Sequence, residues 1–135
     1  MSWGQYFLAV FVAGVVCALS DWFFTMVLFP NKYHTYPEVW RRPEDGKGEL
    51  QRFLLSSLLG FVTCAAFILL SIRLELLDLG SALKLAGAIW FIVPLPLLFT
   101  NALWVKIHPP IVVAHAIGWL SKLVLTAVVV GWLLS

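Results

Sequence analysis

The chain has 135 residues, 61% hydrophobic and 12% charged, with a mean hydropathy of +0.94 and a net charge of +2. A soluble domain is about half apolar and about a quarter charged, so this composition excludes an ordinary soluble fold and indicates a single-domain integral membrane protein. So small a net charge, with its basic residues gathered in loops, does not point to a nucleic acid partner.

The first apolar segment runs from about Trp3 to Phe29 and stops at Pro30. It has no basic residue before it, and its apolar run exceeds the ~7–15 residues of a signal peptide, so it reads as a membrane helix. The loop that follows, residues 30–52, contains "NKYHTYPEVWRRPEDGKGELQ". Tyr33, Tyr36 and Trp40 are residues of the interfacial belt, and Arg41 and Arg42 are suited to lipid phosphates. His34 and Glu38 have helical ligand spacing, but Pro37 disturbs it, and no metal site is expected there. Three more apolar segments cover residues 53–72, 85–105 and 111–134. Each approaches or exceeds the roughly 20 residues that span hydrocarbon, and only helices satisfy their own backbone there without a closed sheet. The expected fold is an all-α integral membrane protein, a bundle of four transmembrane helices in one domain, residues 1–135.

Cys17 and Cys64 fall inside apolar segments and read as small buried hydrophobes, with no disulfide, metal or cofactor expected. In the third segment, "FIVPLPLLFTN" sets Pro94 and Pro96 at the centre, where each removes a backbone donor and favours a kink. Interrupted helices mark binding sites in transporters, although prolines also occur in ordinary membrane helices.

Loop charge predicts an orientation. Lys32, Arg41, Arg42, Lys47 and Arg52 belong to the first loop and Lys106 to the third, while Arg73 and Lys84 flank the second. The positive-inside bias then places the first and third loops in the cytoplasm and both termini outside.

Small and weakly polar residues recur on one face of every segment: Gly14, Cys17, Ala18, Asp21 and Thr25; Ser56, Gly60, Thr63, Cys64, Phe67 and Ser71; Gly87, Pro94 and Asn101; His115, Gly118, Lys122 and Thr126. Such faces are what membrane helices bury against one another. Asp21 lies roughly 12 Å and Lys122 roughly 16 Å from the cytoplasmic ends of their helices at 1.5 Å per residue. They are the acid and the base expected deepest in the membrane, so they are expected to pair, with His115 and Asn101 completing a polar cluster. Intramembrane charges commonly mark function, but a buried pair also serves simply to set helix register.

"DWFFTMVLFPNKYHTYPEVW", "GAIWFIVPLPLLFTNALW" and "HAIGWLSKLVLTAVVVGWL" resemble the first, third and fourth helices of a family of small four-helix bacterial membrane proteins. That family is catalogued as a domain of unknown function (number seventeen sixty-one). The resemblance implies four helices and a bacterial inner membrane, and it carries no catalytic residue. Function is therefore expected to be binding or transport of a small ligand, ion or lipid headgroup at the polar cluster. The alternative is a structural or accessory subunit whose polar faces meet a partner. A homo-oligomer, most simply a dimer, is expected because four short helices bury a thin core. The Gly14-x-x-x-Ala18 and Ala114-x-x-x-Gly118 patches are its candidate contacts.

Overall fold

The computed structural model describes residues 2–24 and 49–135. Tyr33, Tyr36, Trp40, Arg41 and Arg42, with the rest of the first loop, lie outside the described residues. Among the described residues five α-helices make up four spans and no strand occurs. Helix α1 (Trp3–Phe23) opens on a capping box, in which Ser2 Oγ accepts from the Gln5 N–H and the Gln5 side chain accepts from the Ser2 N–H. Helix α2 covers Glu49–Arg73. Its end is a Schellman motif: the Leu76 N–H reaches the Ser71 carbonyl at 2.9 Å and the Glu75 N–H reaches the Ile72 carbonyl at 3.2 Å. Glu75, at φ 56, occupies the left-handed position that glycine usually fills.

The third span runs from Leu79 to Trp104. It is built from α3 (Leu79–Ile92) and α4 (Pro94–Trp104), joined at Val93 with φ −120 and ψ −70. Pro94 and Pro96 have no N–H to give the carbonyls of Trp90 and Ile92, which accounts for the interruption. The span starts earlier than its hydropathy suggests because Asp78 caps it, accepting from the Ser81 N–H at 2.9 Å. Lys84 is thereby inside α3 rather than at a loop edge, with an exposed side chain. Helix α5 (Pro109–Leu133) starts on two prolines, which suit a helix's first turn because its N–H groups need no partner there.

All four spans are long and apolar enough to cross a membrane. The last one is the hub. Helix α5 packs against each of the other four helices, while α1 pairs with α2 and α3 with α4. In its most apolar window α5 is 39% buried, against 17–22% for the other spans, so it forms the centre of the bundle. The core is built of small residues where backbones approach: Ala9, Ala13 and Cys17 on α1, Ala82 and Ala86 on α3, and Ala127 on α5. Gly14 receives the ring of Phe61, where a methyl group would overlap it, so this close approach is internal to the chain. Gly131 takes the backbone of Leu79, whose Cα would lie 2.9 Å from an added Cβ. Ala18 is exposed, and Gly118 faces open space. Large apolar side chains such as Phe7, Phe11, Leu58, Leu103 and Trp132 point outward, as lipid contact favours.

Candidate functional site

Two features meet at the middle of α5. The first is a stack of polar groups between α1, α2 and α5. Asp21 and Cys17 are one turn apart on α1, as are Lys122 and Thr126 on α5. Lys122 Nζ lies 3.1 Å from Asp21 Oδ2. The two ends of this ion pair differ, for the lysine side chain is 13% exposed and the aspartate 50%. Lys122 also has its ammonium 4.8 Å from the centre of the Trp119 ring, a cation–π contact from the preceding turn.

One turn further along, two thiols and a hydroxyl converge. Cys17 Sγ and Cys64 Sγ are 3.7 Å apart, and each is 3.5 Å from Thr126 Oγ1. Thr126 donates its hydroxyl proton to the Lys122 carbonyl at 2.8 Å, so its oxygen remains an acceptor for both thiols. Cys17, Cys64 and Thr126 are all buried.

The second feature is a groove of about 410 Å³ between α2 and the broken third span. Its floor is Trp119 and Leu123 of α5, one wall is Val62, Ala66 and Phe67, and the opposite wall includes Val93, Pro94 and Leu97. Its lining is almost wholly apolar. Thr63 turns its hydroxyl back to the Leu59 carbonyl at 3.0 Å and so brings little polarity. The groove exists because α2 and the third span each pack on α5 while keeping apart from one another. Trp90 fixes the far wall by donating Nε1–H to the Ala116 carbonyl of α5 at 2.9 Å.

Asp21 and Lys122 are thus brought into contact, and Pro94 is buried at the break in the third span with the exposed Pro96 two residues beyond. Asn101, near the end of α4, and His115, two turns before Lys122, are both at exposed positions. For Asn101 the reason is that the last turn of α4 runs out to the bundle surface, with Leu103 and Trp104 beside it also exposed. Among the described residues no group of three or more His, Cys, Asp or Glu side chains is placed to hold a metal. Cys17, Cys64 and Thr126 lie on the small-residue faces that periodicity marks, but nothing in that pattern joins them into a site, and Trp119 is on none of those faces. The only further trace in the sequence is spacing, with Trp119 three residues before Lys122, Cys17 four before Asp21 and Thr126 four after Lys122.

No curated protein and no solved structure matches the chain. A family described as a protein of unknown function, DUF1761, matches over residues 8–131. That match takes in α1 from residue 8 onward, the whole of α2, α3 and α4, and nearly all of α5, and the chain belongs to this family of proteins of unknown function.

Proposed function

We propose that this protein is a multi-pass membrane protein that binds a lipid hydrocarbon chain in the groove between α2 and the third span. The carrying observation is the groove itself, apolar, open to the side and set at mid-depth of the spans that form it. Its volume of about 410 Å³ is within the roughly 300–1,000 Å³ of small-molecule sites. The surroundings favour an uncharged occupant. Among the described residues no lysine or arginine lines the groove, and Lys122, one turn from the groove residue Trp119, is paired with Asp21 and engaged by Trp119, so they offer an ion or charged headgroup no unpaired ammonium there. The break at Val93 supports the same reading, because it sets Pro94 and Leu97 along the groove wall.

The experiment is lipid retention. The protein is purified in mild detergent, and bound phospholipid is counted by native mass spectrometry. Ala66 lines the groove and is exposed, so Ala66→Trp fills the space without entering the core. Wild type is expected to retain phospholipid, and Ala66→Trp to lose it while keeping its helix content. Equal retention by both proteins sinks the reading and turns attention to the structural-subunit alternative, for which an apo oligomer is the expected sign.

A further inference from the structure

We propose that Cys17 and Cys64 form an intramembrane redox pair, a dithiol that closes to a disulfide when it meets a lipid-soluble two-electron acceptor of the quinone class. The chain has two cysteines, and they come from different helices to the same point. Their sulfurs are 3.7 Å apart, with the Cys64 thiol donating to Cys17 Sγ. Closure asks the sulfurs to approach from 3.7 Å to the roughly 2.05 Å of a disulfide bond. Thr126 prepares the pair. Its hydroxyl proton goes to the Lys122 carbonyl, the Cys64 thiol donates to Cys17 Sγ and the Cys17 thiol reaches the Lys122 carbonyl at 3.5 Å, so one chain of hydrogen bonds holds the two sulfurs side by side with Thr126 Oγ1 3.5 Å from each.

The location selects the oxidant. Both thiols are buried within spans, where water-soluble disulfides have no approach. Thiolates are costly in hydrocarbon, so a reaction that stays neutral overall is favoured. Quinone chemistry meets that condition. Two S–H bonds break and one S–S bond forms. The two electrons and two hydrogens pass to the quinone oxygens, giving a hydroquinone with two new O–H bonds. Phe67 is one turn from Cys64 and Leu123 one turn from Thr126, and both line the groove, so the groove borders the helix turns that carry the thiols and is the route by which quinone oxygens would come into contact with them. The inference shares the groove with the proposed lipid site as a route only. It is read by thiol chemistry rather than by lipid retention, so either can fail alone.

The test uses the full-length protein in lipid nanodiscs. The reduced protein is treated with duroquinone, then unfolded and labelled with N-ethylmaleimide, and its intact mass is measured. Wild type is expected to become lighter by two hydrogen atoms, to take up no maleimide and to release one hydroquinone per chain. Cys17→Ser and Cys64→Ser, folded by circular dichroism, should each take up one maleimide. Oxidised glutathione should act about tenfold more slowly than the quinone, since access governs the rate. Wild type that still takes up two maleimides after quinone treatment overturns the proposal, as does a disulfide formed between chains. Equal rates with glutathione overturn the shielding from water on which it depends. Stoichiometric retention of silver(I) by a pair that quinone leaves reduced would make it a soft-metal site instead.

Discussion

The ion pair in the stack is asymmetric, and that asymmetry makes its substitutions distinguishable. Lys122 is the more buried member, so losing Asp21 strands an ammonium in the bundle, whereas losing Lys122 leaves a carboxylate already half open to its surroundings. Removing one partner of a buried pair costs about 3–5 kcal/mol, and partial exposure lowers that figure. Asp21→Asn is expected to destabilise by about 3 kcal/mol and Lys122→Met by about 1–2 kcal/mol, with the double variant close to wild type because an apolar replacement leaves no charge unpaired. Equilibrium unfolding in mixed micelles reads all three. Equal costs for the two single variants would mean that Trp119, rather than Asp21, is the main support of the lysine.

At the scale of elements, the turn between α2 and α3 carries a measurable pH signature. Asp78 caps α3, and its hydrogen bonds with Ser81 hold its carboxyl below the ordinary carboxylate range. A lowered folded-state value means that the cap's contribution is complete above the ordinary range and is lost as pH falls through the lowered value. The thermal midpoint of wild type is therefore expected to fall on acidification through that window. Asp78→Asn keeps an acceptor at the cap but removes the titration, so that part of the fall should vanish. An identical pH profile in the variant would assign the dependence to other carboxylates. The third span's break is a second element-scale feature. Asp78 begins the span six residues before its apolar run becomes continuous, and Pro94 restarts it after Val93. A hydropathy window registers neither event, since it sums side chains and is blind to caps and missing donors.

For the whole molecule, the four spans among the described residues would return the C-terminus to the side on which the N-terminus starts. The basic excess of the first and third loops predicts that this side is the outside. A C-terminal alkaline phosphatase fusion in a bacterial host is expected to be active and a C-terminal green fluorescent protein fusion dark. A bright fluorescent fusion with an inactive phosphatase would reverse the orientation. Helix α5 organises everything inside that frame. Because it touches each of the other described helices, both the polar stack and the groove are built on its faces, about one turn apart.

Much of this architecture is written in the sequence. Four apolar stretches of bilayer length leave few alternatives to four helices, because unpaired backbone is not tolerated in hydrocarbon. Asp21 and Lys122 were legible as a pair for a similar reason, since lone charges at depth are costly and each was the candidate partner of the other. What the residues could not disclose by themselves is how the helices are arranged around one another. Small-residue faces occur on all four spans, so periodicity cannot say that α5 is central or that α2 stands off from the third span. The groove follows from that standing-off, and the meeting of Cys17, Cys64 and Thr126 follows from the rotation of three helices about their axes. A cysteine in an apolar run looks like any small hydrophobe. Only the tertiary packing, by setting two sulfurs against each other and against one hydroxyl, distinguishes a reactive pair from filler.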